Sequence, residues 1–249
     1  MSVQRTSNPV LSDRVLQQFS FAEESTTMTA NGMVLKTTIA LAGVMLTAGL
    51  AWIQIQQGAA PGPFMYGGAI AGLILALITS FKPTLAPYTT PVYALAEGAF
   101  LGAFSVLTQS RFPDTPIVFQ AVCLTFGTLF VMLICYQTGV IRVTAKLRAG
   151  IVVATGAIFL LYLVSFVLHF FGISMPLIHG SGPVGIGFSL FVVGLAAFNL
   201  LLDFDLVDRL VAQRAPKAME WYAAFALLVT LIWLYVEILR LLSKLNRRD

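Results

Sequence analysis

The chain has 249 residues, of which 58% are hydrophobic and 10% are charged, whereas soluble domains carry about 25% charged residues. This composition excludes an ordinary soluble domain and indicates a membrane protein. The formal net charge of +4 does not indicate nucleic-acid binding, because the basic residues are scattered through short loops and form no patch.

Seven apolar runs are long enough to cross the hydrocarbon core of a bilayer, which takes about 20 residues of helix. In chain order they are residues 34–55, 64–81, 89–108, 117–138, 149–171, 185–203 or somewhat beyond, and 222–242. The predicted fold is therefore an all-α bundle of seven transmembrane helices, residues 34–243. A polar cytoplasmic segment, residues 1–33, precedes it, and a short basic tail, residues 244–249, follows it.

The distribution of basic residues predicts the orientation, because they accumulate in the cytoplasmic loops of membrane proteins. With the N-terminus in the cytoplasm, the predicted external loops contain only one basic residue, Arg111. An odd number of spans, however, places Lys244, Arg247 and Arg248 outside. A cytoplasmic N-terminus with seven spans is the preferred topology, and a cytoplasmic C-terminus with one imperfect or re-entrant span is the alternative.

The glycines of "EGAFLG", Gly98 and Gly102, are spaced as in close helix contacts between membrane spans. No nucleotide-binding loop, serine-hydrolase elbow or metalloprotease motif is found, so we do not expect an enzyme or a cofactor. His169 and His179 flank the loop between spans five and six, and two histidines without a nearby cysteine or carboxylate do not predict a metal site.

Four ionisable residues of the apolar runs stand out as candidates: Glu97, Asp203, Glu237 and Arg240. A charge at the centre of a bilayer costs about 3 kcal/mol on insertion scales, so such residues face the bundle interior or a watery cavity. They are the candidate functional residues of the chain.

Three aspartates end the sixth run, in "FNLLLDFDLVDRL". Asp205 has Arg209 four residues later, which is the spacing of a helical ion pair, and Asp208 lies closer to the loop, where we expect it to be solvated. Asp203 has no such partner, and Asn199 is the only polar residue on its face. Because Asp203 and Asp205 point to nearly opposite sides of a helix, we expect Asp203 to face the bundle.

The other two acids differ in their local partners. Glu237 can pair with Arg240 at the i+3 position, so an ion pair and a site role are both open. Glu97 has no basic residue one turn away, so its partner must be another helix, a hydroxyl such as that of Tyr93, or water. It either titrates, binds a ligand, or packs as a neutral acid.

Several motifs in order resemble one family across nearly the whole chain. They are "SNP" and "MTANGMVLKTT" before and into the first run, "LAEGAFLGAFS" around the third, "NLLLDFDLVDRL" ending the sixth, and "EWYAAFALLVTLIWLYVEILRLL" as the last. The chain resembles the Bax inhibitor-1 superfamily of membrane proteins, specifically its bacterial branch.

This resemblance implies six helices around a central seventh, and a pH-sensitive calcium leak governed by acids on the last two helices. Asp203 matches the acid of the sixth helix, and Glu237 matches a position, often aspartate, in the seventh. Glu97 with Gly98 matches the glutamate-glycine of the third. Glu237 departs from the family by one methylene, and the segment from Arg209 to Trp221 is longer than in smaller relatives.

Pairing of Asp203 with Glu237 is a hypothesis that the spacing makes difficult. Asp203 lies near the end of its run, whereas Glu237 lies about 15 residues, or ~22 Å, into the next. For the two to touch, span six must extend past Asp203 and span seven must begin later. A touching pair would share a proton and titrate as a unit. It could also bind Ca²⁺, with water and backbone carbonyls completing the coordination shell.

The predicted function is thus a pH-sensitive calcium or cation leak channel of the bacterial cytoplasmic membrane, with the bilayer, Ca²⁺ and protons as its partners. Asp203, Glu237 and Glu97 would bind or gate the ions, supported by Asn199, Asp205 and Arg240. A proton-coupled transporter is one alternative. A regulatory protein that binds a membrane protease or other membrane protein through its N-terminal extension is another.

Overall fold

The computed structural model describes residues 27–172 and 180–247. Most of the predicted cytoplasmic segment, residues 1–26, lies outside these ranges, as do His179 and the side chain of His169. The predictions about these residues are therefore not addressed by the structure.

The described residues form seven helices that are long and apolar enough to span a bilayer. They are α1 Ala30–Gln56, α2 Pro61–Phe81, α3 Ala86–Gln109, α4 Ile117–Gln137, α5 Ala145–Phe170, α6 Pro183–Ala212 and α7 Met219–Leu245. A short 3₁₀ turn, Pro83–Leu85, joins α2 to α3. The predicted all-α bundle of seven spans is confirmed. Each predicted run lies inside its helix or extends at most one residue beyond the end of that helix.

The largest differences from the predicted bounds occur where α6 meets α7. α6 continues to Ala212, well beyond Asp203, because its last turns bury Phe204 and Val207 while Asp208 and Arg209 stay exposed. The connection to α7 is consequently only residues 213–218. At the other end of α7 the helix includes Lys244, which had been assigned to the basic tail.

α7 is the central helix of the bundle, as the family resemblance implies. It packs directly against α1, α3, α4 and α6, whereas α2 packs mainly on α3 and α5 on α6. In its most apolar window 56% of the residues are buried inside the protein, compared with 17% for α1, α2 and α5. The outward faces of the peripheral helices are apolar and exposed, as contact with lipid requires.

The two glycines of the predicted packing motif bring α3 against α1. A Cβ atom at Gly98 would lie 2.4 Å from the carbonyl oxygen of Val44, and one at Gly102 would lie 2.4 Å from that of Ala48. Both contacts are with backbone, which cannot move aside as a flexible side chain can. The prediction of close helix packing at Gly98 and Gly102 is therefore confirmed.

Candidate functional site

Polar residues recur on one face of α7 at intervals of seven. Thr230, Glu237 and Lys244 are two helical turns apart, about 10 Å for each step, and so point in nearly the same direction. This face packs against α6 and reaches α5. We call the set Asp203, Thr230, Tyr162, Glu237, Ser189 and Lys244 the polar track, and it has three levels.

The first level holds Asp203 of α6, which is partly buried. Thr230 of α7 is the hydrogen-bonding neighbour of its carboxyl group, and the Thr230 hydroxyl also lies 3.3 Å from the carbonyl oxygen of Ala226. The Asp203 Oδ2 atom is shielded from solvent and has no hydrogen-bond partner among the described residues. The side chain thus turns toward α7, as its lack of a local partner predicted.

The second level holds Glu237, whose side chain is only 1% exposed. Its Oε1 atom accepts a hydrogen bond of 2.9 Å from the Tyr162 hydroxyl of α5 and lies 3.3 Å from the Arg240 Nη1 atom. The Arg240 guanidinium also lies 5.0 Å from the centre of the Tyr162 ring. The Oε2 atom of Glu237 is buried without a hydrogen-bond partner in the described part of the chain.

The third level lies near the end of α7, where Lys244 is 4% exposed. Its Nζ atom donates hydrogen bonds to the Gly185 carbonyl oxygen, at 2.9 Å, and to the Ser189 Oγ atom, at 2.8 Å. Both acceptors belong to the first turns of α6. From Thr230 to Lys244 the polar track therefore follows α7 for about 21 Å, most of the thickness of a bilayer core.

Asp203 and Glu237 lie at different levels and do not meet. No hydrogen bond joins them within residues 27–172 and 180–247, and Glu237 lies two turns of α7 beyond Thr230, the neighbour of Asp203. α6 does extend past Asp203, but α7 begins earlier than predicted. Nor does any group of three or more His, Cys, Asp or Glu side chains in the described ranges have an arrangement suited to holding a metal ion.

Glu97 of α3 lies against the outer helix α2. A Cβ atom at Gly72 of α2 would be 2.2 Å from the Glu97 Oε1 atom, so the carboxyl group rests against the backbone of α2. Its interhelical neighbour is thus the outer helix α2, and the structure does not bring Glu97 together with Asp203 or Glu237.

The two remaining aspartates of α6 make contacts at the end of the bundle where α6 ends and α7 begins. The predicted ion pair of Asp205 with Arg209 is confirmed, at 3.0 Å. Arg148 of α5 also approaches the same carboxylate, at 2.5 Å, which the sequence did not reveal. Asp208, expected to be solvated, is exposed but accepts a hydrogen bond of 2.6 Å from the Tyr136 hydroxyl of α4.

Asn199 bonds sideways, toward α5. Its Nδ2 atom donates to the Thr155 Oγ1 atom and to the Leu195 carbonyl oxygen, both at 2.9 Å. It shares a face of α6 with Asp203, as predicted, but its amide group is used to join α6 to α5.

A family model described as Bax inhibitor 1 like matches residues 8–247, nearly the whole chain. The chain belongs to this family. It is an integral membrane protein of Bax inhibitor 1 like type, as the motifs of its sequence indicated. No curated protein and no solved structure matches it.

One buried acid of this Bax inhibitor 1 like chain was missed in its sequence. Glu220, at the start of α7, is fully buried, and its Oε1 atom accepts hydrogen bonds from the Thr29 backbone N–H (3.1 Å) and hydroxyl (3.2 Å). Thr29 is the N-cap of α1 and accepts from the Gly32 N–H at 2.9 Å. A Cβ atom at Gly32 would lie 2.0 Å from the same carboxylate.

This contact explains the "TANG" of the first family motif. Thr29 caps the helix, and Gly32 leaves the space that the Glu220 side chain fills. The cap itself could have been found, since a threonine directly before an apolar run is a start signal for a helix. Its link to Glu220 could not, because the two residues are 191 positions apart.

Proposed function

We propose that this protein is a pH-sensitive cation leak channel, with Ca²⁺ and protons as the transported or competing ions, and that the polar track between α6 and α7 is its pathway. The proposed location is a bacterial cytoplasmic membrane, with the N-terminus in the cytoplasm. The proposed role is transport and not catalysis.

The observation that carries the proposal is a pair of unsatisfied carboxyl oxygens on a single helix interface. Asp203, Glu237 and Glu220 each bury one oxygen atom that has no hydrogen-bond donor among the described residues, and of these only Asp203 and Glu237 belong to the polar track. A carboxylate oxygen in an apolar environment without a donor is costly, and a proton or a cation is what satisfies it. Two such oxygens on the route through the bilayer are suited to exchanging protons and cations.

Because Asp203 and Glu237 are separated, the proposed gating differs from that of a touching pair, which would share one proton and titrate as a unit. Each acid binds its own proton, and the protonated forms allow α6 and α7 to stay packed. When the acids ionise, water and cations are drawn between the helices, and the equilibrium shifts toward an open pathway. Because Ca²⁺ takes six to eight oxygen ligands, water and backbone carbonyls must supply most of them at either level.

Ca²⁺ flux into liposomes, measured across the pH range 5 to 8, tests the proposal. The variants are Asp203→Asn and Glu237→Gln, with Asp114→Asn as the matched control, because Asp114 is an exposed acid in the loop between α3 and α4. We expect pH-dependent flux that both interior substitutions alter and the control does not. Folded protein without flux above that of empty liposomes would refute the channel and favour the regulatory alternative.

The double variant distinguishes two separate levels from one shared site. Substitutions at sites about 10 Å apart act additively, whereas members of a coupled pair do not. We therefore expect the logarithms of the flux changes for Asp203→Asn and Glu237→Gln to sum in the double variant. A double variant no different from either single one would show that the two acids act as a unit.

A further inference from the structure

α1 and α4 flank α7 without packing closely against each other, and two cavities fill the space between them. One has a volume of about 260 Å³ and the other about 750 Å³. Leu41 of α1 contributes to the walls of both, so the cavities lie end to end. Together they follow α1 from Ala30 to Trp52, a length of about 33 Å. We call them the α1–α4 groove.

The two halves of the α1–α4 groove differ in polarity. The smaller half, toward Trp52, is walled mainly by apolar side chains. Its buried hydroxyl groups are used within the protein: those of Ser105 and Tyr235 are bonded to each other at 2.6 Å, and that of Thr125 donates to the Ala121 carbonyl oxygen at 2.8 Å. The larger half contains polar and charged groups at its mouth, among them Gln137, Arg142 and Asp208. The groove therefore changes from charged to apolar along the bilayer normal, as a phospholipid does.

The charges at the mouth leave one arginine available. Asp205 is paired with both Arg148 and Arg209, and Asp208 accepts the Tyr136 hydroxyl. Arg142 is exposed and makes no ion pair with any described residue. A guanidinium at the level of the headgroups is a suitable partner for a phosphate, with which it forms charge-assisted hydrogen bonds.

We propose that the α1–α4 groove binds an anionic phospholipid, with the phosphate at Arg142 and an acyl chain in the apolar half. The surrounding medium supports this occupant, because exposed apolar side chains such as Val34 and Met45 of α1 and Val122 of α4 border the groove. A basic residue between transmembrane helices can bind an acidic lipid headgroup, and Arg142 is the basic residue that lines this groove, together with the paired carboxylate of Asp205 and that of Asp208. The proposal does not depend on the ion pathway, which lies on the other side of α7.

Two substitutions test the two ends of the groove. Gly49→Leu fills the apolar half, since a Cβ atom at Gly49 meets no other atom within 4 Å. Its matched control is Gly127→Leu on α4, where a Cβ atom also meets nothing and which lines neither cavity. Arg142→Gln removes the headgroup contact, and Arg111→Gln, in the exposed loop before α4, is its control.

The measurement is the number of lipids retained per protein, by native mass spectrometry, after equilibration with equal parts of phosphatidylglycerol and phosphatidylcholine. We expect the native chain and both controls to retain phosphatidylglycerol preferentially. Gly49→Leu should lose bound lipid of both kinds, and Arg142→Gln should lower the preference for phosphatidylglycerol roughly fivefold, as expected for one basic residue near an anionic surface.

Three results would overturn the proposal. The first is a native chain that retains neither lipid, or retains phosphatidylglycerol and phosphatidylcholine equally. The second is a Gly49→Leu variant that retains as much lipid as the native chain. The third is an Arg142→Gln variant whose preference for phosphatidylglycerol is unchanged. A native dimer that Gly49→Leu converts to a monomer, without any change in bound lipid, would instead assign the groove to a second copy of the chain.

Discussion

The α1–α3 and α6–α7 interfaces both bury membrane-spanning helices, but they do so by different chemistry. α3 approaches α1 through the glycines Gly98 and Gly102, which place backbone against backbone. α6 approaches α7 through polar side chains, namely Asp203 with Thr230 and Ser189 with Lys244. The first interface contains little that a proton or an ion could alter, whereas the second contains groups whose charge depends on what is bound.

This difference assigns the two interfaces different tasks. Membrane helices gain little from hydrophobic burial against one another, because lipid is equally apolar, so close packing and hydrogen bonds hold them together. A glycine contact is fixed by geometry and keeps α1 and α3 as one unit. A contact between polar side chains can change with protonation, so any movement of α7 should occur relative to α6.

The largest effect is expected for Gly98→Ala, because its Cβ atom would lie 2.4 Å from the Val44 carbonyl oxygen and 1.9 Å from the Thr47 Oγ1 atom. We expect a loss of stability of about 3 kcal/mol, the upper part of the usual range for overpacking. Thermal unfolding in detergent measures it. The control is Gly156→Ala on α5, where a Cβ atom meets nothing within 4 Å; equal melting temperatures for the two variants would refute the packing argument.

The contact of Glu220 with Thr29 is expected to come second. Glu220→Ala removes the acceptor of two hydrogen bonds at the start of α1, and we expect a loss of about 2 kcal/mol. Glu220→Gln keeps a carbonyl acceptor and should lose less. The close approach of Gly32 to the Glu220 side chain can be tested by a double-mutant cycle. Gly32→Ala should destabilise the native chain but have a smaller effect when Glu220 is alanine, and independent effects of the two substitutions would contradict the contact.

A smaller effect is expected at the second level of the polar track. Tyr162→Phe removes the hydrogen bond from Tyr162 to Glu237, so that Arg240 is the only described partner left to the Glu237 carboxylate. We expect the free energy of unfolding to fall by about 1 kcal/mol, a typical value for a hydrogen bond between membrane helices. Unfolding in mild detergent measures it, with Tyr66→Phe, an exposed tyrosine of α2, as control. A Tyr162→Phe variant as stable as the control would mean that the hydrogen bond makes no net contribution.

The smallest effect is expected for the ion pair of Asp205 with Arg209, because the Arg209 side chain is 45% exposed. A double-mutant cycle with Asp205→Asn and Arg209→Gln should give a coupling of about 0.5 kcal/mol, decreasing with salt. The cycle with Arg148→Gln is the comparison, because the Arg148–Asp205 contact joins two helices. A coupling for Arg209 that does not change with salt would indicate a buried interaction instead.

The sequence predicted the seven helices because a bilayer imposes their length and composition. It predicted the glycine contacts because Gly98 and Gly102 are four residues apart on one helix and so lie on the same face. It predicted the Asp205–Arg209 pair for the same reason, since these two residues are also four positions apart on one helix. The end of α6 was left open at Asp203 or somewhat beyond, and the sequence did not place it at Ala212 because the last turns are amphipathic and carry Asp205, Asp208 and Arg209. Such a stretch has the composition of a loop although it folds as a helix.

Contacts between distant positions were beyond the reach of the sequence. The Tyr162–Glu237 bond joins residues 75 positions apart, and the Glu220–Thr29 contact joins residues 191 positions apart. Which of many tyrosines or threonines meets a given acid depends on helix rotation and vertical offset, and neither leaves a periodic signal. The separation of Asp203 from Glu237 is different, because the count of residues along the two spans already made their pairing difficult.

The position of α7 at the centre of the bundle has a consequence for biosynthesis. The ribosome releases the chain from its N-terminus, so the helix that contacts α1, α3, α4 and α6 enters the bilayer after the other six described helices. Until it arrives, Gly32 and the cap of α1 lack Glu220, and the inner surfaces of the earlier helices meet lipid or insertion machinery. Nascent chains that stop before Met219 are therefore expected to be protease-sensitive, and completion of the last helix to be the step at which the protein becomes compact.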